Sequence, residues 1–357
     1  MKAWVLNGIG DISLRETEKP VPKADEVLVK VRAAGICGSD IPRIYVAGAH
    51  RMPLIPGHEF SGSVEETGSS VSGEWLGKRV GVFPLIPCGK CGPCRNGHPE
   101  MCRDYDYIGS RRDGAFAEYV AVPADQLMEL PEKVGFEEAA MLEPMAVSVH
   151  AMRQAFNEDA APFGRDPKIA ICGLGTIGLL LTMFLMDRGL DNVYVIGNKP
   201  GQKKRAFSLG VREDRFCDSS VTDPLEWITD NAGYADVFFE CVGRNECVSL
   251  GVDSAAPGGR VILVGNPHSG MTLSRDTYWK ILRNQLTVRG TWNSTFLGAG
   301  PSEDVRDDWR YVTDRLSAGS LHPENLITHR YSLEKLDKGF SVMKERSEDH
   351  CKVIMAR

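Results

Sequence analysis

The chain has 357 residues, of which 42% are hydrophobic and 25% charged, a composition typical of a soluble globular protein with two domains. Its net charge of -6 argues against a nucleic-acid-binding surface, because phosphate backbones require a basic face. No signal peptide is recognisable, and the longest apolar run, residues 177–186, is shorter than the roughly 20 residues that span a bilayer, so we expect a cytoplasmic protein without a membrane partner.

The first 145 residues predict a β-rich domain. Short runs of β-branched and aromatic residues alternate with glycine and proline, which is typical of a barrel-like arrangement. The predicted strands are 27–31, 60–64, 79–82 and 116–120.

Three separate segments of this domain supply candidate ligands for a catalytic metal. Cys37 lies in a Cys-Gly-Ser-Asp turn, His58 and Glu59 follow some twenty residues later, and Glu143 precedes a proline near the end of the domain. Sulfur, imidazole and carboxylate form the ligand set of a catalytic zinc with an exchangeable position. Taken singly, such a cysteine or histidine is more often buried packing. Because a thiolate and two carboxylates over-neutralise Zn2+, we expect Glu59 to be the more labile ligand.

Four cysteines within fifteen residues predict a second, structural zinc site. Tetrahedral coordination by four thiolates leaves no position for a substrate, and the intervening glycines and proline favour a chelating loop over the alternative of disulfides. The remaining cysteines are scattered in apolar contexts, which indicates buried thiols in a reducing compartment. The four predicted ligands are Cys88, Cys91, Cys94 and Cys102.

After about residue 145 the pattern changes to strands that alternate with helices, which predicts a parallel sheet in a doubly wound α/β domain. The predicted strands are 168–172, 193–196, 237–240, 261–264 and 286–288. The predicted helices are 144–155, 177–188 and 203–209, and a loop is predicted at 162–167.

A Gly-x-Gly-x-x-Gly turn between a strand and a helix predicts a dinucleotide site. Gly173 permits the tight turn, Gly175 lets a pyrophosphate approach the backbone, and Gly178 lets the helix pack on the strand. A purely structural glycine turn is the alternative. Further cofactor-binding candidates are Thr176 and Ile177 in this turn, and Val264, Gly265 and Asn266 after a later strand.

The second strand of this domain lacks the acid that would bind an adenosine ribose. An Asp or Glu at that position bonds the 2′-hydroxyl and repels a 2′-phosphate. Here the strand runs into Gly197, Asn198 and Lys199, which supply space, a hydrogen-bond donor and a positive charge. The segment therefore favours NADP(H) over NAD(H).

In this order, the segments resemble the zinc-dependent medium-chain alcohol and polyol dehydrogenases over nearly the whole chain. The resemblance implies a GroES-like catalytic domain of residues 1–145 with 291–357, a Rossmann domain of residues 146–290, and a homodimer or homotetramer. It also implies that Cys37, His58, Glu59 and Glu143 hold the catalytic zinc. Two departures are the absence of the acid at Gly197 and the presence of Ile41 and Pro42 where many members place a histidine.

The activity implied is hydride transfer between NADP(H) and a secondary alcohol of a polyol or polyol phosphate. Ser39, Glu59 and Glu143 are the expected catalytic residues, with Ser39 passing the hydroxyl proton to solvent. The same chemistry on an unphosphorylated sugar alcohol, a secondary alcohol or a threonine-like substrate is an alternative. A non-enzymatic NADPH-binding sensor with one structural zinc is another.

A phosphorylated substrate requires local cations, because the whole chain is acidic. Arginines in a glycine-bounded loop and aromatic side chains near the motifs are candidates, although surface charge or core packing accounts for each of them equally well. The candidate substrate residues are Tyr45, His50, Arg111, Arg112, Trp292 and Asn293.

Overall fold

The computed structural model describes residues 1–156, 166–267, 269–300, 304 and 306–357. The chain forms two compact units. The first consists of Met1–Ala146 and Ser294–Arg357, and the second of Val147–Asn293. Within the described ranges, every helix is too short or too polar to cross a membrane. Most of the loop predicted at 162–167 lies outside the described residues.

The described strands are listed in chain order. They are β1 (Lys2–Gly8), β2 (Asp11–Glu16), β3 (Glu26–Ile36), β4 (Glu59–Thr67), β5 (Arg79–Val82), β6 (Leu85–Ile86), β7 (Asp106–Tyr107), β8 (Tyr119–Pro123), β9 (Leu127–Glu129), β10 (Ile169–Cys172), β11 (Val193–Gly197), β12 (Phe216–Asp218), β13 (Ala235–Glu240), β14 (Ala255–Leu263), β15 (Thr287–Gly290), β16 (Ile327–Tyr331) and β17 (Lys352–Ala356).

The described α-helices range from single turns to fourteen residues. They are α1 (Asp40–Pro42), α2 (Gly92–Arg95), α3 (Phe136–Ala139), α4 (Leu142–Ala155), α5 (Thr176–Asp187), α6 (Pro200–Ser208), α7 (Pro224–Ala232), α8 (Asn245–Ser254), α9 (Arg275–Arg283), α10 (Asp308–Ala318) and α11 (Leu336–Glu345). A π-helical turn, Arg43–Ala47, follows α1.

The first unit contains a sheet that joins both ends of the chain. Its strand order is β16-β17-β3-β4-β5-β9, and β8 also pairs with β3. Strand β17 pairs antiparallel with β3 and places Ile354 opposite Gly35. The core continues onto α11, where Phe340 makes ring contacts with Trp4 and Phe116. The C-terminal segment is therefore part of the same hydrophobic core as the N-terminal strands.

The second unit contains a six-stranded sheet in the order β12-β11-β10-β13-β14-β15, with every pair parallel. This is the order of a doubly wound dinucleotide-binding domain, and the predicted fold class is confirmed. Helix α5 follows the central strand and buries every side chain from Leu179 to Leu185, which explains why its sequence is apolar without a polar stripe.

Four elements of the second unit were not predicted from the sequence: helices α7, α8 and α9 and strand β12. Helix α7 has a recognisable start, because Asp223 accepts hydrogen bonds from the N–H groups of Leu225 and Glu226 and a proline occupies the first turn. Strand β12 has only three residues, too few for a periodic pattern. In the first unit, the predicted strand 116–120 begins only at Tyr119 as β8, because Phe116 instead accepts a backbone hydrogen bond from Trp4.

Candidate active site and metal centres

Three of the four residues expected to hold a catalytic metal meet in the first unit. The ligand atoms of Cys37, His58 and Glu59 lie within 4.8 Å of one another. Strand β3 delivers Cys37 just beyond its end, and β4 begins at Glu59, directly opposite Gly35 of β3. Thiolate, imidazole and carboxylate in one cluster, with His58 and Glu59 buried, fit Zn2+. Glu143 lies outside this cluster of the described residues.

Asp40 orients the histidine of this cluster. His58 Nδ1 lies 3.4 Å from Asp40 Oδ1, which leaves Nε2 as the nitrogen that can ligate a metal. Asp40 is fully buried, contacts the guanidinium of Arg43, and accepts the N–H of Cys37 at 3.0 Å. Burial opposes the charged forms of both groups, yet Asp40 raises the pKa of His58, while His58 and Arg43 lower the pKa of Asp40.

Glu143, at the start of α4, is paired with a tyrosine. Tyr107 donates a hydrogen bond to Glu143 Oε1 at 3.3 Å, and the Tyr107 ring lies edge-on to His58 with 5.8 Å between the ring centroids. Burial raises the pKa of Glu143 to about 7, and the nearby charge of Glu59 adds to this effect. Glu143 is thus linked to the His58 side of the cluster through Tyr107.

A buried lysine that we missed in the sequence neutralises Glu59. Lys352 Nζ contacts Glu59 Oε2 and donates to the carbonyl of Ile36 at 3.3 Å. Burial would lower the pKa of Lys352, but Glu59 and Cys37 raise it, so the lysine is charged. The sequence contains an indication of this residue, because Lys352 is the first residue of the otherwise apolar strand β17. A lysine in such a strand is expected to be buried with a partner of opposite charge.

Ser39 lies beside the cluster. Its hydroxyl donates to Cys37 Sγ at 3.3 Å, and the neighbouring Gly38 is exposed. Ser39 therefore has the cluster on one side and solvent on the other. Ile41 and Pro42, which stand in place of a histidine, offer no group that could carry a proton further.

The four cysteines of the predicted structural site converge in a loop after β6. Their sulfur atoms lie within 4.8 Å of one another. Cys91 Sγ lies 3.4 Å from Cys94 Sγ and 3.8 Å from Cys102 Sγ, far longer than a disulfide bond of about 2.05 Å. Backbone N–H groups of Cys94 and Arg103 lower the pKa of Cys91 to about 6, whereas burial and neighbouring thiols raise the pKa of Cys94 to about 12. Four sulfur atoms this close together, with the pKa of Cys91 lowered, fit the four-thiolate coordination of a divalent cation.

The predicted dinucleotide turn lies between β10 and α5. A Cβ at Gly178 would fall 2.0 Å from the carbonyl oxygen of Gly173, so only glycine lets the helix pack so closely. A Cβ at Gly175 would meet no atom within 4 Å, which leaves open space in front of the helix N-terminus for a pyrophosphate. Thr176 and Ile177 form the first turn of α5.

The loops after β13 and β14 also meet by backbone contact. A Cβ at Gly265 would fall 2.1 Å from the nitrogen of Gly243, and one at Gly243 would fall 1.8 Å from the carbonyl oxygen of Asn266. Val264 and Gly265 donate backbone hydrogen bonds to Glu240 at 2.8 and 2.9 Å. Gly243 is thus a further glycine at this edge of the sheet that the sequence pattern did not identify.

The end of β11 has no acid directed at a ribose. Gly197 is buried, and Asn198 and Lys199 are exposed. The neighbouring strand places Asp218 opposite Gly197, but this carboxylate accepts hydrogen bonds from the backbone and hydroxyl of Ser220 at 3.0 and 2.6 Å. The acid in register with Gly197, Asp218, therefore forms hydrogen bonds within the turn that follows its own strand.

The candidate substrate residues are dispersed. Tyr45 packs beside α11 with Lys344 Nζ 4.3 Å from its ring centroid, and His50 is exposed. Arg112 forms an ion pair with Glu26, and Arg111 stacks on Tyr105. Trp292 is exposed and Asn293 half-buried, both in the second unit.

Comparison with known proteins identifies two matching families and similar full-length relatives. Residues 23–132 match the alcohol dehydrogenase GroES-like domain, and residues 176–317 match the zinc-binding dehydrogenases. Galactitol 1-phosphate 5-dehydrogenase of Escherichia coli (strain K12) is 35% identical over 94% of this chain and 94% of its own. L-threonine 3-dehydrogenase of Bacillus subtilis (strain 168) is 32% identical over 95% of this chain and 94% of its own.

Solved structures are similar over the whole chain. Galactitol-1-phosphate dehydrogenase from Escherichia coli gives a TM-score of 0.89 at 33% identity, with both chains covered completely. A zinc-binding dehydrogenase from Sinorhizobium meliloti 1021, bound to NADP, gives 0.87 at 30% identity, covering 100% of this chain and 99% of its own. An alcohol dehydrogenase from E. coli CFT073, complexed with NADH, gives 0.89 at 27% identity with the same coverage.

The two cysteine clusters predict two zinc ions per chain that can be removed independently. Cys88→Ser should remove one zinc and lower the melting temperature, because it opens a closed structural site. Cys37→Ser should remove the other and abolish turnover with a smaller effect on stability. Zinc content by plasma emission spectroscopy, together with calorimetry, measures both effects. Cys217→Ser, at a buried cysteine outside both clusters, is the control and should retain both ions. A wild-type chain that holds one zinc would contradict the catalytic site.

The glycine turn predicts opposite phenotypes for two alanine substitutions. Gly178→Ala should destabilise the protein by about 1–3 kcal/mol, because its Cβ collides with backbone. Gly175→Ala should leave the melting temperature unchanged and weaken dinucleotide binding at least about tenfold, which corresponds to roughly 1.4 kcal/mol. Calorimetric unfolding and titration with NADPH measure the two effects. Gly270→Ala, also in open space, is the control; unchanged NADPH affinity in Gly175→Ala would place the pyrophosphate elsewhere.

Proposed function

This chain belongs to the zinc-dependent medium-chain alcohol and polyol dehydrogenases, and we propose that it oxidises a secondary alcohol of a polyol or polyol phosphate to the ketose with NADP+. The alcohol loses a hydride to the nicotinamide and a proton to solvent, and the reverse reaction takes both back. The cluster of Cys37, His58 and Glu59, in which His58 and Glu59 are buried, is the observation on which the proposal depends. Similarity to a galactitol 1-phosphate dehydrogenase over 94% of both chains supports the substrate class.

Some residues at the cluster would bind the catalytic metal, and others contact the residues that bind it. Cys37, His58 and Glu59 would hold the catalytic metal, with Glu143 as the fourth expected ligand. When bound there, Zn2+ supplies a Lewis acid that lowers the pKa of a substrate hydroxyl. Asp40 fixes the ring of His58, and Lys352 gives Glu59 a second partner. Glu59 can therefore leave or approach the cluster without being left as an unpaired buried charge.

Ser39 is the residue we assign to proton release. It already donates to Cys37 Sγ, so it reaches the edge of the cluster, and it is next to the exposed Gly38. A hydroxyl both accepts and donates a proton, so Ser39 can take the substrate proton while giving its own to water. Because Ile41 and Pro42 follow, this relay ends at solvent rather than at a histidine.

The preference for NADP(H) rests on charge at the end of β11. Lys199 is exposed, and Oδ1 of Asp218, the acid in register with Gly197, accepts both hydrogen bonds from Ser220. A solved relative bound to NADP supports this reading, while another complexed with NADH marks the competing outcome.

A homodimer through the second unit is the assembly that the surface supports. Strand β15 pairs only with β14 in the described sheet, so its other edge is open. Along the same segment, four large apolar side chains are 40–61% exposed. They are Tyr278, Trp279, Leu282 and Val288. An open strand edge beside exposed apolar side chains is a typical self-association surface.

The proposed function predicts a specific order of substrates and cofactors. Wild-type kcat/KM should be highest for galactitol 1-phosphate with NADP+, lower for galactitol, and lowest for L-threonine. Lys199→Ala should reduce kcat/KM for NADP+ about tenfold and leave that for NAD+ unchanged, because it removes a charged contact to the 2′-phosphate. Steady-state kinetics over the matched set measures this, with Lys204→Ala, an exposed lysine of the helix α6 that follows Lys199, as the control. A wild-type preference for NAD+ would show that Gly197–Lys199 was misinterpreted.

The assembly proposal predicts that charge on β15 dissociates the oligomer. Val288→Lys should shift the mass measured by light scattering from that of a dimer or tetramer toward that of the monomer, because two copies would bring lysines together in an apolar contact. Val221→Lys places the same charge on an equally apolar valine that is 82% exposed elsewhere in this unit, and it should leave the mass unchanged. An unchanged mass for Val288→Lys would exclude this edge.

A further inference from the structure

Two adjacent arginines of the glycine-bounded loop have different environments. Arg112 donates to Glu26 Oε1 at 2.6 Å and lies 3.7 Å from Asp106. Glu26 is 3% exposed and begins β3, so its buried charge requires this partner. Arg112 is therefore a structural residue that holds the loop to the sheet.

The other cations near this loop are also neutralised. A recess of about 630 Å3 is bordered by Lys23, Arg51, Arg111 and Arg112, and by four acids. Arg51 pairs with Asp113 at 2.9 Å, and Lys23 lies 3.8 Å from Glu26. The recess therefore has little net charge to attract an anion.

Arg111 is the exception. Its guanidinium carbon lies 4.4 Å from the ring centroid of Tyr105, and the residue is half-buried. Its Nε is buried and has no hydrogen-bond partner. Among the described residues, no carboxylate lies within ion-pair distance of it. A half-buried arginine without a counterion costs stability, which suggests that the arginine is kept for a ligand.

Two tyrosines connect Arg111 to the catalytic cluster. Alternation along the short strand β7 directs Asp106 toward Arg112 and Tyr107 toward the opposite side. The rings of Tyr105 and Tyr107 pack edge-on with 6.2 Å between their centroids. The centroids of the Tyr107 and His58 rings are 5.8 Å apart. The series runs from His58 through Tyr107 and Tyr105 to Arg111, within the first unit.

We propose that Arg111 binds the phosphate of a polyol phosphate whose distal carbinol lies at the Cys37–His58–Glu59 cluster. The inference rests on the proposed function and assigns its substrate specificity to one residue. A guanidinium held over a tyrosine ring presents its N–H groups as a planar fork, which matches two oxygens of a phosphomonoester. Arg111 is thus a specificity residue, whereas Arg112 supports the loop.

The test compares Arg111→Gln with Arg51→Gln, which removes the same charge from the other side of the loop. Galactitol 1-phosphate and galactitol are the matched ligands. Arg111→Gln should lower kcat/KM for the phosphate ester about 10- to 100-fold, as expected for loss of charged hydrogen bonds, and leave that for galactitol unchanged. Isothermal titration with galactitol 1-phosphate should show the same loss of affinity. Arg51→Gln should retain both values, and neither substitution should lower the unfolding temperature.

Inorganic phosphate distinguishes the substrate site from the recess. It should inhibit the wild type competitively against galactitol 1-phosphate, and Arg111→Gln should relieve the inhibition. Non-competitive inhibition that depends on Arg111 would move the anion to the recess and overturn the assignment, as would equal losses in Arg51→Gln.

The failure of this inference differs from the failure of the proposed function. Efficient oxidation of galactitol without any gain from the phosphate would leave the dehydrogenase proposal standing and overturn the role of Arg111. Binding of galactitol 1-phosphate that requires Arg111, without turnover of either substrate, would support the phosphate site and overturn the proposed reaction.

Discussion

A buried ion pair between Lys352 and Glu59 joins the two ends of the chain at the catalytic cluster. Both side chains are 2% exposed, and they come from β17 and β4, with β3 between them. A Cβ at Gly35 of β3 would fall 2.4 Å from Glu59 Oε2 and 2.6 Å from Lys352 Cε, so glycine is required there. An unpaired charge at this depth costs several kcal/mol. The ion pair that holds Glu59 therefore requires the pairing of the C-terminal strand with β3.

This constraint also sets the electrostatics of the cluster. Asp40 and Glu59 lie at the cluster, Glu143 lies outside it beside Tyr107, and Arg43 and Lys352 are two cations that accompany His58. Each of these two cations contacts one carboxylate. Among the side chains that the structure describes, Glu143 hydrogen-bonds to the hydroxyl of Tyr107 alone, and burial raises its pKa to about 7. The thiol of Cys37 and the carboxyl of Glu143 are the groups that a divalent cation would favour in their charged forms.

The sequence predicted the sites whose residues lie close together along the chain. It did not predict the residues that strand pairing brings to the catalytic cluster. Four cysteines in one loop, and three glycines in one turn, reveal their chemistry because the partners are within fifteen residues. Lys352 is 293 residues from Glu59, and nothing local to either indicates the other. Tyr107 and Asp40 likewise acquire their roles only when β7 and the turn after β3 approach β4. Strand pairing therefore supplies the supporting residues, whereas local motifs supply the ligands.

We infer that substrate choice depends on which charged side chains remain unpaired after folding, whereas metal binding depends on the ligands that local motifs supply. In this acidic chain many cations of the first unit are paired, including Arg112 with Glu26 and Arg43 with Asp40. Paired cations contribute to the fold, and their charge is no longer available to an anionic ligand. Arg111 and Lys199 are the cations to which we assign recognition of the substrate and of the cofactor, one beside the tyrosines and one at the end of β11. A change at either can alter the ligand without altering the scaffold, so a family with one fold can serve polyols, polyol phosphates and two cofactors.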